Sequence, residues 1–277
     1  MQEWQCRWAP SLGKLENTHQ EIWGTKEYEN DTDPTVFFGL YGFPDFYALW
    51  RHKGEKHILW AGSDITHFKN GYWLDKVGFI KLNSGGLTRW INENCFNWVE
   101  NEVEQDVLRK LGIGSVIRPS FLGRVQDYQI SYKHSDRPKV YSSVSGDDFK
   151  LYRVEEIFKL ADQNPGIEFY IYGTTKPVTW VAKYNNVVVR GWVPKEQMNS
   201  EIRQMQGALR LVKFDGFSEI IAKSLLWGQW PISVIPYTYV LPVKMLHTLK
   251  DMKEPNIKGR EYYIKNLNDY PWAKQNI

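Results

Sequence analysis

Cysteine is scarce in this sequence: Cys6 and Cys95 are the only two among 277 residues. They stand far apart with no metal-ligand spacing, which excludes a disulfide framework and a cysteine-built metal centre. An excess of one charge is also missing. The 35 basic residues nearly match the 32 acidic ones, for a net charge of +3, so there is no strong nucleic-acid signal. The one mildly basic run, residues 51–57, is broken by Glu55. No apolar stretch approaches the ~20 residues of a membrane span. The opening Met1-Gln2-Glu3-Trp4-Gln5 has neither the basic nor the apolar region of a secretory signal, so a cytoplasmic chain with reduced thiols is expected.

Aromatic residues, by contrast, make up 15% of the chain, with 13 Trp and 16 Tyr. Such side chains fill cores and also stack on sugars. Residues 1–34 read as polar, Trp-rich and turn-forming. Beyond them, short apolar runs that end in or near glycine alternate with segments of helical period. In the first half, strands are expected at 35–42, 57–62, 77–82 and 115–119, with a helix at 45–52. Residues 87–111 read as mostly helical, because Val99, Val103, Val107, Leu108 and Leu111 fall near a period of 3.6. A polar stretch over 126–138 reads as a linker. In the second half, strands are expected at 139–143, 167–173, 186–191, 208–212 and 230–235, with helices at 152–163, 195–205 and 218–227. This is the spacing of parallel βαβ units, hence an α/β fold. The boundaries that follow are 1–135, 136–240 and a helical segment 241–277, expected to pack back on the first domain.

Ligands of open parallel sheets bind at the carboxyl ends of the strands, so the loops after the strands are the places to look. The strongest constellation is Arg210-Leu211-Val212-Lys213-Phe214-Asp215-Gly216-Phe217-Ser218-Glu219. Two cations and an acid follow a strand, and a Gly-containing turn leads into a helix with Ser218 as its expected cap. Free N–H groups at a helix start, aided by the helix dipole, suit a phosphate. Arg210 and Lys213 are placed to neutralise a diphosphate, and Asp215 to accept from sugar hydroxyls. In the first half, Gly42, Ser63, Asp64 and His67 follow strand ends and form an acceptor-side set, with His67 a candidate base. No metal site is expected.

The stretch from Asp215-Gly216-Phe217-Ser218-Glu219 through Ala222-Lys223 to Gly228-Gln229-Trp230-Pro231-Ile232 resembles the donor-site signature of retaining GT-B glycosyltransferases of family 4. That signature runs acid-Gly-Phe-Gly, then a helix bearing a second Glu, then Ala-x-x-x-Gly-x-Pro-Val. Gly191-Trp192-Val193 resembles the family's strand end beside the donor base, and Gly173 the glycine closing the strand before it. The resemblance spans about 35–240 in outline and is specific over 189–232.

The resemblance implies two Rossmann-like domains facing a cleft, with an acceptor-side domain at 1–135 and a donor domain at 136–240. It implies a hexosyltransferase-like, retaining, metal-independent enzyme without a cofactor. The donor would be a nucleotide diphosphate sugar, the acceptor a glycan, lipid or protein. By the same resemblance Asp215 contacts the donor sugar, with Arg210 and Lys213 as supporting cations. Gly216, Phe217 and Ser218 take the backbone positions near the diphosphate, and Glu219 is counted with the donor-binding residues. The family's second Glu falls on Lys223, which cannot accept a hydrogen bond from ribose. Three alternatives follow: a ribose held differently, an unusual donor, or a chain that binds nucleotide sugar without turnover. Glu219 and Lys223, one helical turn apart, are also spaced for a salt bridge. The family's Arg–Lys pair after the first donor-domain strand has only Lys150 as a candidate.

Overall fold

A computed structural model describes residues 3–13, 18–69, 84–176 and 183–273. The strand expected at 77–82 lies outside them. Among the described residues, strands form two parallel six-stranded sheets. The chain divides into two compact units. Unit 1 is Met1–Arg124 with Phe214–Phe217 and Asn266–Ile277, and unit 2 is Val125–Lys213 with Ser218–Lys265. The linker expected at 126–138 falls inside unit 2, and the closing segment is shared between the units.

In unit 1 the strands are β1 (Gln5–Trp8), β2 (Lys26–Glu27), β3 (Thr35–Phe38), β4 (Lys56–Leu59), β5 (Phe96–Val99) and β6 (Val116–Ile117), in the order β2-β1-β3-β4-β5-β6. The helices are α1 (Thr18–Trp23), α2 (Phe43–Arg51), α3 (Ser63–Lys69), α4 (Ser84–Asn94) and α5 (Glu102–Lys110). Alternate side chains leave the sheet on opposite faces. Phe37, Ile58, Trp60, Ile91 and Leu108 fill one side, and Cys6, Val36, Leu59, Tyr270 and Trp272 the other. Each such fully buried large side chain contributes about 1.5–3 kcal/mol.

Two expectations are corrected in unit 1. Residues 1–34 contain β1, an interior strand paired to β3 along its length. Its Arg7 hides the apolar pattern, because that cation is held by Asp45 at 2.7 Å. Residues 87–111 are not one helix but α4, β5 and α5. Val99, expected on the helix face, is instead the buried last residue of β5. The side chain of Asn101 accepts the Glu104 N–H and starts α5 afresh, with Glu102 and Glu104 in its first turn and Arg109 and Lys110 in its last, as the helix dipole favours.

In unit 2 the strands are β7 (Lys139–Ser143), β8 (Glu168–Tyr172), β9 (Val187–Gly191), β10 (Gly207–Arg210), β11 (Ile232–Ser233) and β12 (Leu241–Pro242). The helices are α6 (Val154–Gln163), α7 (Lys195–Ile202), α8 (Glu219–Leu226) and α9 (Ile257–Asn266). The order β12-β11-β10-β7-β8-β9 is the doubly wound order, which reverses between β7 and β10. Helix α6 buries Val154, Ile157, Phe158 and Ala161 on the expected face. Helix α8 is buried from Ile220 to Leu226, Lys223 included, as suits a helix at the centre of its unit.

Candidate functional site

The carboxyl ends of β7 and β10 flank the point where the strand order of unit 2 reverses, the usual ligand position in such sheets. Arg210 ends β10, and its guanidinium carbon lies 4.8 Å from the centre of the Tyr152 ring. Arg153, in left-handed backbone with φ 53°, donates from Nη1 to the carbonyl of Leu211 at 3.4 Å and pairs with Glu156. Two arginines thus stand at the switch point. Sequence reasoning sought the second cation at Lys150, which is exposed; Arg153 was missed because it sits inside the segment read as helix 152–163. Lys213 is exposed.

Helix α8 starts at Glu219 with Ser218 as its N-cap residue, but the Ser218 side chain makes no capping bond. Ser218 thus stands at the expected cap position without the capping bond, and the orphan N–H groups of a first helical turn are left to other acceptors. Lys223 is 4% exposed, and its ammonium donates to Glu219 at 2.9 Å and to Asn199 at 3.0 Å. The i,i+4 salt bridge foreseen from spacing is present. Gly173 follows β8 and Gly191 ends β9, and the two are joined by a 2.7 Å bond from the Gly173 N–H to the Gly191 carbonyl. Trp192 is 68% exposed, and Val193 is half-buried.

Of the residues between β10 and α8, Phe214–Phe217 belong by contacts to unit 1. There the Asp215 carbonyl accepts from Asn101 Nδ2 at 2.8 Å. The Phe217 N–H donates to Glu100 Oε2 at 2.8 Å. Gly216 lies so close that a Cβ on it would sit 1.9 Å from the same oxygen. Glu100 Oε1 accepts from the Ser120 N–H at 3.0 Å and from the Ser120 hydroxyl. Burial raises Glu100 above the usual carboxylate range, with the hydrogen bonds from Ser120 and Phe217 opposing it. Glu104, whose Oε2 accepts the Glu100 N–H at 2.8 Å, is raised well above that range by burial and by its acidic neighbours Glu100, Asp64 and Asp215. Neither Glu100 nor Glu104 was singled out in the sequence, since reading 87–111 as one helix made both ordinary helix residues.

Of the acceptor-side set, Gly42 precedes α2 and donates its N–H to Asp45 at 3.1 Å. Ser63 donates to the Tyr41 hydroxyl at 3.4 Å, and His67 meets the Tyr41 ring edge-on at 5.8 Å. Asp64 is fully buried, and its carboxylate accepts the N–H groups of Leu40, Ala61 and Ile65 at 2.9, 3.0 and 2.8 Å. It ties two strand ends together and presents no oxygen to solvent.

An Asp-x-Asp triplet is present at Asp31-Thr32-Asp33, before β3. Asp31 pairs with Lys53 at 3.0 Å, and Asp33 accepts from Asn30 at 2.8 Å. Among the described residues no group of three or more His, Cys, Asp or Glu side chains is arranged to hold a metal. A cavity of about 640 Å³ in unit 2 is lined by Lys139, Tyr170, Arg190 and Glu201 among others and shares no residue with the expected donor set.

Two doubly wound parallel sheets, with a phosphate-suited turn after one central strand, define the GT-B class of α/β folds. Solved structures of that class resemble the chain. A variant of S. aureus TarM in complex with fondaparinux, alpha-GlcNAc-glycerol and UDP is 14% identical, with a TM-score of 0.58, over 91% of this chain and 55% of that one. The lipopolysaccharide outer core galactosyltransferase WaaB, in apo form, is 11% identical, with a TM-score of 0.59, over 96% and 95%. Anabaena HepE in complex with UDP and glucose is 10% identical, with a TM-score of 0.51, over 96% and 95%. The chain spans about half the length of the TarM chains, 55% and 54%. No protein-family model matches it. No curated protein matches it either. The likeness to the solved structures is one of fold. Among the described residues no helix is long and apolar enough to cross a membrane.

Proposed function

We propose that this protein is a glycosyltransferase that moves a sugar from a nucleotide diphosphate sugar to a glycan, lipid or protein acceptor, retaining the anomeric configuration and using no metal. A cytoplasmic location is part of the same reading. The observation that carries it is the pair of arginines at the switch point of unit 2, Arg153 beside Leu211 and Arg210 over Tyr152, with Arg210 shortly before the Asp215-Gly216-Phe217-Ser218 turn in the chain. In this reading Arg210, Arg153 and Lys213 take up the charge of the departing diphosphate, with the first N–H groups of α8. Asp215 accepts from the donor sugar, and Gly173, Gly191, Trp192 and Val193 border the base. Ser63 and His67 face the acceptor. The fold supports this reading, and the solved TarM and HepE structures, which contain UDP, suggest the probe.

A second reading, a nucleotide-sugar-binding protein without turnover, is favoured by one observation: Lys223 stands where the family has its second Glu and is buried in an ion pair with Glu219.

The deciding experiment is thermal unfolding of the wild type, Asp215→Ala and Lys223→Glu with UDP, GDP, ADP and their glucose conjugates, followed by donor hydrolysis. One nucleotide is expected to stabilise the wild type, by about 2.7 kcal/mol at a hundredfold excess over Kd. Asp215→Ala should lose the extra gain from the matching nucleotide sugar. Lys223→Glu puts a buried carboxylate beside Glu219 and should lower the midpoint, at a cost of roughly 2–4 kcal/mol, between the values for exposed and buried pairs. Donor binding without hydrolysis selects the second reading. No shift with any nucleotide sinks both.

A further inference from the structure

Three consecutive residues of the β10–α8 turn are held by two consecutive side chains at the end of β5. Asn101 Nδ2 donates to the Asp215 carbonyl at 2.8 Å and lies 3.5 Å from that of Gly216. Glu100 Oε2 accepts the Phe217 N–H at 2.8 Å. The other Glu100 oxygen is fixed by the N–H and hydroxyl of Ser120, so the carboxylate cannot turn without breaking those bonds. Gly216 completes the fit, since any Cβ there would overlap Glu100 Oε2. Both side chains are buried, Glu100 7% and Asn101 3% exposed.

A buried carboxylate is costly unless its oxygens are satisfied. Here both oxygens of Glu100 accept from backbone N–H groups. A neutral isostere cannot reproduce this, because a carboxamide has one accepting oxygen and its nitrogen would face an N–H donor.

We propose that Glu100 is a positioning residue, with Asn101 as its partner, which fixes the peptide planes from Asp215 to Phe217 and so aims the Asp215 carboxylate at the donor sugar. The inference rests on the transferase reading above. Glu100 does not touch the donor. It acts through the turn, and loosening the turn should cost turnover more than donor affinity, since an error of about 1 Å in placing a reacting group lowers rates by roughly a hundredfold.

The test compares the wild type, Glu100→Gln and Asn101→Ala in two measurements. At pH 8, above the raised Glu100 value of about 7, hydrogen exchange of the Phe217 amide should quicken roughly tenfold or more in Glu100→Gln, in line with a lost charged hydrogen bond, while amides of β7 and β8 keep their rates. With UDP-glucose, or whichever nucleotide sugar the thermal panel selects, kcat per folded molecule should fall about a hundredfold in Glu100→Gln. It should fall less in Asn101→Ala, which keeps every Glu100 bond, and donor KM should stay within about threefold in both. A purely structural role would lower the folded fraction without this split between kcat and KM. If the wild type turns over donor and Glu100→Gln matches its kcat per folded molecule, the positioning role is overturned and the transferase reading stands. If the wild type binds and hydrolyses no nucleotide sugar, both fall together.

Discussion

Glu100, Glu104 and Asp64 are carboxyl groups buried in unit 1, and Glu100 and Asp64 are close enough to raise Glu104. Glu100 is pushed up to about 7 from 4.5, and Asp64 to about 6 from 3.8, burial being the larger cause in each. A raised carboxyl keeps its proton in the folded state where the unfolded chain has released it. Its contribution to stability is therefore full below the unfolded value and is lost as pH rises through the folded one. His52 and His57 act oppositely, since burial lowers both: their contribution is full above the unfolded value and is lost as pH falls. The wild-type slope mixes these effects, and a difference separates them. The stability gap between wild type and Glu100→Gln, measured by urea denaturation from pH 5 to pH 8, should move in favour of Glu100→Gln as pH rises. Glu104, Asp64, Asp215 and Tyr270 face the same charge and are present in both proteins. A gap independent of pH would show that Glu100 does not titrate in that window.

At the scale of elements, the turns after the strands carry more constraint than the strands do. Gly173 closes β8 with φ +85°, and a Cβ there would meet the Val144 carbonyl oxygen at 2.2 Å. Gly173→Ala adds left-handed strain, about 1–2 kcal/mol, to a clash with rigid backbone. It should destabilise by more than about 2 kcal/mol in urea with an unchanged m-value; an unchanged midpoint would mean the turn relaxes freely. Much of this layer was legible. The run Ile167-Glu168-Phe169-Tyr170-Ile171-Tyr172-Gly173 reads as a strand because the residues are β-formers and the glycine stops it, and β8 is there. α4, β5 and α5 were not legible as three elements, because Val99, Val103 and Val107 keep a helical spacing across the break. The Asn101 cap that restarts the chain looks in sequence like any polar residue on a helix.

At the scale of the whole molecule, residues distant in sequence complete unit 1. Asn268 accepts from the Trp23 indole at 3.1 Å and from the Phe121 N–H at 2.9 Å, and returns a 2.8 Å bond to the Phe121 carbonyl. Tyr270 and Trp272 stack at 4.5 Å inside the same aromatic cluster as Trp23. Removing the residues after Lys265 should therefore leave buried tryptophans wet. A red-shifted Trp emission and a lost near-ultraviolet signal are expected, and unchanged spectra would show the segment to be dispensable. Composition cannot announce this, since 266–273 is short, polar at its start and far from its partners along the chain.

The sequence by itself determined the α/β class, the run of parallel units in the second half and the place of the β10–α8 turn. These depend on local pattern: period, glycine punctuation and a recurring motif. Only the tertiary structure decided that β1 is an interior strand, that Arg153 stands with Arg210 at the switch point, and that Glu100 and Asn101 together hold the peptides of Asp215 to Phe217. Those facts depend on which distant groups meet. A buried carboxylate whose oxygens are spent on N–H groups 20 and 117 residues away leaves no mark in the spacing of its own neighbours.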